Sequence, residues 1–186
     1  VVAGSAGGLR LVAPKGSSTR PTTDRVKEAV FAALAPQRIE GRTVLDLFAG
    51  SGALAIEALS RGASRAVLVD NDAAAVHAIE TNLEHTHFGD RARARRGAVD
   101  AFLAQLPPPD APFGLVTLDP PYETTDGEIR SLLEKLTQGS WLTESATVVV
   151  ERPAGSSVSL PDKLALAWER TYGDTLVTIA TVRSDS

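Results

Sequence analysis

An aspartate, two prolines and a tyrosine in succession, Asp119-Pro120-Pro121-Tyr122, carry the most specific chemistry in this sequence. They leave directly from an apolar run, Gly114-Leu115-Val116-Thr117-Leu118, of the kind that forms a buried strand. An acid at the carboxyl tip of a strand, then two residues that cannot extend a hydrogen-bonded ladder, then an aromatic ring, makes a rigid polar corner beside a flat surface. Such a corner suits one task well, gripping the exocyclic amine of a planar base. Asp and Pro are also ordinary turn residues, and a strand-ending turn with a surface tyrosine would look the same.

A second group follows an earlier apolar run. Val44-Leu45-Asp46-Leu47 leads into Phe48-Ala49-Gly50-Ser51-Gly52. Gly50 and Gly52 let the backbone approach a ligand closely, and the helix that follows aims its N–H groups at it. Eighteen residues beyond Gly52 comes Val69-Asp70-Asn71-Asp72, with an acid placed to accept both hydroxyls of a ribose. Gly50-x-Gly52-x-x-Ala55 fits the loose dinucleotide fingerprint. Asp46 argues for a different ligand. A carboxylate four residues before the first glycine repels a pyrophosphate and favours a cofactor carrying an ammonium and a sulfonium, S-adenosyl-L-methionine. The plain alternative for Asp46 is an acid that caps a helix or turn.

The bulk numbers are compatible with such an enzyme. At 186 residues the chain makes one ordinary domain with a real core, and 43% hydrophobic and 23% charged residues are those of a soluble globular protein. There is no cysteine, which removes disulfides, thiolate metal sites and a cysteine nucleophile. No apolar run reaches transmembrane length and no secretory signal is visible, so the expected location is cytoplasmic. The net charge of −4 excludes a generally basic nucleic-acid binder, but the charge is unevenly spread. Arg10, Lys15, Arg20, Arg25, Lys27, Arg38 and Arg42 face only Asp24, Glu28 and Glu40 in the first 42 residues, and Arg91, Arg93, Arg95 and Arg96 form a second cluster. Local patches of this kind make phosphate footprints, and they also make plain solvated faces. His85 and His87 lack any further ligand pattern, and no metal is expected.

The elements that must position these residues alternate. Residues 1–22, rich in Gly and Ser, read as a small hairpin or extended arm. A helix follows Pro21-Thr22-Thr23-Asp24, with Val26, Val30, Phe31 and Leu34 on one face and Pro36 as its end. Strands are then expected at 44–47, 66–70, 92–96, 114–118 and 147–151, with helices near 53–61, 73–84, 100–106 and 128–136 between them. Repeated strand–helix units give a parallel sheet covered on both faces, an α/β Rossmann-like fold. After Pro153, stretches 164–172 and 176–182 flank Gly173-Asp174 as a hairpin, which adds an antiparallel strand. The expected division is thus an arm, 1–22, contacting RNA, and a catalytic domain, 23–186.

These motifs carry a resemblance. Asp46 to Gly52 resembles motif I of class I S-adenosylmethionine methyltransferases, and Asp119-Pro120-Pro121-Tyr122 resembles motif IV of their amino-methylating branch. Arg20-Pro21-Thr22-Thr23-Asp24-Arg25-Val26-Lys27-Glu28-Ala29-Val30-Phe31 is similar to the N-terminal signature of the bacterial 16S rRNA guanine-N2 methyltransferases of the RsmD type, as is Tyr172-Gly173-Asp174-Thr175 in the terminal hairpin. The likeness runs from about Lys15 to the C-terminus. It implies a seven-stranded sheet with one antiparallel strand, and methyl transfer to N2 of one guanine in small-subunit RNA. The expected partner is the 16S RNA within the 30S subunit or an assembly intermediate, and a monomer is the default expectation.

The resemblance and the residues together assign roles. Asp119, Pro120 and Tyr122 are expected to be catalytic. Asp46, Phe48, Gly50, Ser51, Gly52, Asp70, Asn71, Ala98 and Val99 are expected to hold the cofactor, and Arg10, Lys15, Arg20, Thr22, Arg25 and Pro121 the RNA. Two departures stand out. Residues 3–13 hold Arg10 as their one charged residue, where the family has a basic arm. Gly97-Ala98-Val99-Asp100 replaces a Gly-Asp-Ala-type motif whose acid reads the adenine amine, leaving backbone near Ala98, or Asp100, for that contact. Other readings of the same corner are a DNA adenine-N6 methyltransferase, a protein glutamine methyltransferase, which ranks lower because it would show Asn where this chain has Asp119, and a non-catalytic ribosome-assembly binder.

Overall fold

The structure, a computed structural model, describes residues 1–14 and 24–183. In chain order the elements are α1 (Asp24–Ala33), β1 (Thr43–Leu47), α2 (Ala53–Ser60), β2 (Arg65–Asp70), α3 (Ala73–His85), β3 (Ala92–Arg96), α4 (Val99–Leu103), β4 (Phe113–Leu118), α5 (Asp126–Thr137), β5 (Leu142–Pro153), β6 (Leu164–Tyr172) and β7 (Thr175–Val182), with one 3-10 turn at Pro36–Arg38. The seven strands form one sheet in the order β3-β2-β1-β4-β5-β7-β6. Strands β1 to β5 run parallel, and β7 lies antiparallel to both β5 and β6. The expected α/β fold, with one antiparallel strand supplied by the terminal hairpin, is the observed one.

Sequence pattern explains the layering. β4 is buried along its whole length and β1 along all but its first residue, as the continuous apolar runs of central parallel strands require. On one face, α1 and α2 bring Val26, Val30, Phe31, Leu34, Leu54 and Leu59 onto Val44, Leu115, Val149 and Val177. On the other, α5 brings Ile129, Leu132, Leu133 and Leu136 onto Leu45, Phe113, Val116 and Val148, with Trp141 stacked against Phe113. Helix α5 starts on a capping box, Thr125 and Glu128 each satisfying the other's backbone N–H. The edge strand β3 alternates Ala and Arg and leaves Arg95 and Arg96 exposed, which discourages pairing with another chain.

The topology fixes where a site can form. Strand order reverses between β1 and β4, so a crevice opens at their carboxyl ends. Register places Asp46 beside Thr117, Leu47 beside Leu118, and Leu118 beside Val150. The next residues of β4 and β5, Asp119 and Glu151, therefore stand at one level with the loop that follows β1.

Residues 1–14 correct one expectation. They form no strand and no hairpin; they make turns that pack onto α2 and α3. The polar side chains of those helices, not a strand partner, satisfy their backbone. Glu57, fully buried, accepts the N–H of Val2 at 2.7 Å and of Ala3 at 3.0 Å while pairing with Arg61 at 2.8 Å. Ser60 accepts from Ala6, which is itself part of the core, and Asn82 exchanges two hydrogen bonds with Val12 at 2.7 and 2.9 Å. Gly4 is required here: its φ is +82°, and a Cβ would lie 1.9 Å from the Ser60 carbonyl oxygen. Replacing Glu57 by Ala should lower stability by about 2–3 kcal/mol and speed amide exchange at Val2, Ala3 and Ala6. Unchanged exchange at those three amides would show that Glu57 does not anchor the segment.

Candidate active site

The loop after β1 is built from left-handed residues. Phe48 has φ 60°, Gly50 φ 55° and Gly52 φ 78°. A positive φ is strained for a side chain as large as Phe48, and such strain concentrates at ligand loops. Gly50 faces open space, with nothing within 4 Å of where its Cβ would stand. Gly52 begins α2, and a Cβ there would meet Leu68 Cδ2 at 2.8 Å. Ser51, half-buried, has its carbonyl held at 2.9 Å by Asn82, the same side chain that grips Val12. The N-terminal segment and the glycine loop are thereby tied to one buried amide.

Asp46 lies beneath this loop, 1% exposed. One carboxylate oxygen accepts the Thr117 hydroxyl at 2.7 Å and the other the Ala55 N–H at 3.2 Å, so it does anchor the start of α2. Burial pushes its pKa up to about 7 against those two hydrogen bonds, with the charges of Asp119 and Asp70 adding to the rise. A carboxylate has about four acceptor positions, and these two bonds leave others for a cation. Asp70, at the tip of β2, accepts the N–H of Gly50 at 2.8 Å and of Asp72 at 2.9 Å. Asn71 beside it is exposed.

The tip of β4 carries the Asp119-Pro120-Pro121-Tyr122 corner. Asp119 is half-buried and its N–H reaches the Leu47 carbonyl at 3.4 Å, joining the ends of β4 and β1. Pro120 is buried, while Pro121 and Tyr122 are exposed, the tyrosine to 54%. The chain then turns, Thr124 bonding back to Pro121 at 3.1 Å, and enters α5. The Asp126 carboxylate is fixed by Arg152 at 3.0 Å and Ser157 at 3.1 Å, which keeps its pKa below the usual carboxylate range. Both ends of the corner are anchored to the sheet.

A third acid escaped the sequence reading. Glu151 on β5 is 3% exposed, and its Oε1 is buried without a hydrogen-bond partner. Burial raises its pKa well above the ordinary range, and the charges of Asp119 and Asp46 push the same way. The available signal was positional: Glu151 ends the apolar run Val148-Val149-Val150 at the carboxyl edge of the sheet, as Asp119 ends the run before it. Thr117 and Asn82, which hold Asp46 and Ser51, read only as parts of a strand and a helix.

The remaining expected residues fall at different places. Ala98 is exposed and Val99 buried at the start of α4, while Asp100 is drawn to Lys135 on α5. Arg10 and Arg25 are both exposed. Lys15, Arg20 and Thr22 lie outside the described residues. Among the described residues no group of three or more His, Asp or Glu could hold a metal ion, and no helix is long and apolar enough to cross a membrane.

The donor set fits a cationic ligand. Three acids around one glycine-lined crevice would oppose a pyrophosphate, and the unpartnered buried oxygen of Glu151 leaves an acceptor there that a cationic ligand would satisfy. Comparison with other proteins agrees. A family model described as conserved hypothetical protein 95 matches residues 1–181. The chain belongs to this family. Its relatives include the ribosomal RNA small subunit methyltransferase D of Escherichia coli (strain K12), 34% identical over 93% of this chain and 84% of that protein. Another is the "Putative rRNA methyltransferase YlbH" of Bacillus subtilis (strain 168), 37% identical over 96% of each. Among solved structures, the "Putative methyltransferase yhhF" of Escherichia coli superposes with a TM-score of 0.85 at 34% identity, covering 100% of this chain and 98% of that one. The resemblance of the signature to the RsmD family therefore extends over the whole fold.

Two outcomes test the site. Gly52→Ala forces a left-handed alanine against Leu68 and should destabilise the protein by about 2 kcal/mol and weaken cofactor binding, read by thermal melting and by titration. Asp46 keeps its proton in the folded state where the unfolded chain, at 3.8, has lost it. The folded state thus binds more protons between about pH 4 and 7, and stability from this group falls as pH rises through that window. The stability of the wild type minus that of Asp46→Asn should drop by on the order of 2–4 kcal/mol from pH 4 to pH 7.5. A flat difference would mean that Asp46 is ionised throughout.

Proposed function

We propose that this protein transfers a methyl group from S-adenosyl-L-methionine to the exocyclic N2 of a guanine in 16S ribosomal RNA. The observation that carries the reading is the half-buried Asp119 at the switch point, anchored through Leu47 and followed by a rigid Pro-Pro-Tyr corner, in a chain of the RsmD family. The substrate is the RNA within the 30S subunit or an assembly intermediate, and the enzyme works as a cytoplasmic monomer.

S-Adenosyl-L-methionine, when bound, supplies a methyl group on a sulfonium that leaves as a neutral thioether. The chain's own work is positioning. Gly50, Ser51 and Gly52 present backbone to the donor, with Phe48 shaping the loop and Asp46 offering negative charge beneath it. Asp70 exchanges its contact with the Gly50 N–H for the ribose hydroxyls, with Asn71 next to it. Because Asp100 is engaged by Lys135, the backbone of Ala98 and Val99 is left to meet the adenine.

The N2 lone pair of guanine is delocalised into the ring, and the amine is a poor nucleophile. The Asp119 carboxylate and the Pro120 carbonyl each accept one N–H, which holds the nitrogen and frees its lone pair to point at the methyl. Tyr122, exposed beside them, stacks on the base for roughly 1–3 kcal/mol, with Pro121 closing the corner. The base must be unpaired or extruded to reach Asp119. Arg10, Lys15, Arg20, Thr22 and Arg25 hold the surrounding phosphates.

The decisive experiment treats unmodified small subunits with enzyme and labelled donor, then maps methylated nucleosides by mass. N2-methylguanosine in the 16S RNA is expected; N6-methyladenosine, or label only in duplex DNA, would replace this reading. Asp119→Ala should keep donor binding while turnover falls by about a thousandfold, and undiminished turnover would remove the role given to Asp119.

A further inference from the structure

We propose that Glu151 is the proton reservoir of the methyl-transfer site, taking up by way of Asp119 the proton that the acceptor amine loses and giving it up when the cationic donor binds. The inference rests on the methyl-donor reading above. It starts from a side chain with no structural duty in view. Glu151 is buried, its Oε1 meets no donor, and it pairs across the sheet with the apolar Val177. An unmatched polar atom in a buried acid is costly unless something else occupies the site during function.

Placement says what that is. Glu151 follows Val150, which pairs with Leu118, so it stands next to Asp119 at the carboxyl edge. Glu151, Asp119, Thr117 and Asp46 alternate onto one face of the sheet, because Val149 pairs with Thr117 and Thr117 with Asp46. The charged groups around Glu151 are thus Asp119 on β4 and Asp46 on β1, both acidic. β7 contributes Val177 and no charge at the paired position. Helix α1, packed over this face, carries one buried cation, Lys27, which has an interaction of its own, as Asp119 has. The adjacent Arg152 is committed to Asp126 on α5, on the opposite face. Three carboxyl groups so placed do not all stay ionised without a bound cation, and Glu151, the one with an unmatched buried oxygen, then carries a proton.

The reaction balances this charge. The N2 lone pair forms the N–C bond while the C–S bond breaks with its electron pair kept on sulfur. The N2–H bond then breaks, its pair returns to nitrogen, and the proton passes to Asp119 and on to Glu151. One positive charge disappears from sulfur and one proton stays in the crevice, so the buried charge is unchanged across the step. Binding of the next sulfonium displaces the proton through the half-buried Asp119.

The test is calorimetric and needs no RNA. S-Adenosylmethionine, or S-adenosylhomocysteine which lacks the sulfonium charge, is titrated near pH 7 in two buffers of different ionisation enthalpy, giving the protons released by each. The wild type should release more with S-adenosylmethionine. The difference should shrink in Glu151→Gln, which still binds both ligands, to the share that Asp46 releases, and recover in part in Glu151→Asp. Equal release by the wild type overturns the proposal without any variant, and so does an unchanged difference in Glu151→Gln. Should Glu151→Gln not fold, Glu151→Asp decides: a carboxylate set back by one methylene must alter the difference, and an unaltered one is fatal. Binding of neither ligand to the wild type would remove the donor reading, and this proposal with it, whereas a failure to methylate guanine leaves the proton count untouched.

Discussion

Carboxyl groups withdrawn from water at the carboxyl edge of the sheet are the constraint on which the rest of the structure depends. Asp46 and Glu151 are almost wholly buried, and Asp119 is half-buried between them in strand order. Each such group costs several kcal/mol if left ionised and unpaired. The protein compensates only in part. The Thr117 hydroxyl and the Ala55 N–H hold Asp46, and Glu151 keeps an oxygen with no partner. A fold optimised for stability would have placed apolar residues at Asp46 and Glu151. Asp46 has a structural role in holding Thr117 and the start of α2, and the unpartnered Glu151 is accounted for if the crevice receives a positive charge.

Several features away from the crevice serve to keep these acids in place. The ion pair between Arg152 and Asp126, with the capping box at Thr125, fixes the exit from the Asp119 corner. The Asp119 N–H fixes its entry, on the carbonyl of Leu47. Asn82 links the glycine loop to Val12 through one buried side chain, and Glu57 and Ser60 secure the residues before Val12. Local strain at Phe48 is tolerated because its neighbours on both sides are determined by these contacts.

Most of this was legible in the sequence, for identifiable reasons. Continuous apolar runs fix central parallel strands, so β1, β2 and β4 stand close to where the pattern put them, and β3 falls on the expected residues 92–96. Gly173-Asp174 between two β-rich stretches sufficed for the terminal hairpin. The motif acids Asp46, Asp70 and Asp119 could be found because turns and glycines flank them. Glu151 could not be found the same way. It continues β5 instead of ending it at a turn, and its importance comes from neighbours on β1 and β4 that are distant in sequence. Residues 1–14 failed for a related reason: short Val and Leu runs suggested a hairpin, while the hydrogen-bond partners they use are side chains on α2 and α3. Propensity describes a segment's own preference, and tertiary partners override it.

The same burial resolves a conflict between the enzyme's charge and its proposed substrate. An acidic crevice in a chain of net charge −4 should repel RNA. Depth separates the two interactions. The acids lie at the floor, behind the exposed Pro121 and Tyr122, whereas Arg10, Arg25, Arg95 and Arg96 stand at the surface. A phosphate at the rim sits in screened, high-dielectric surroundings where surface cations dominate over acids farther inside. The base that enters carries no charge, and guanine's Watson–Crick edge offers N–H donors that carboxylates attract. On the proposed reading, an acidic floor beneath surface cations would admit the base and keep the backbone out, favouring an edge rich in donors over one that is not.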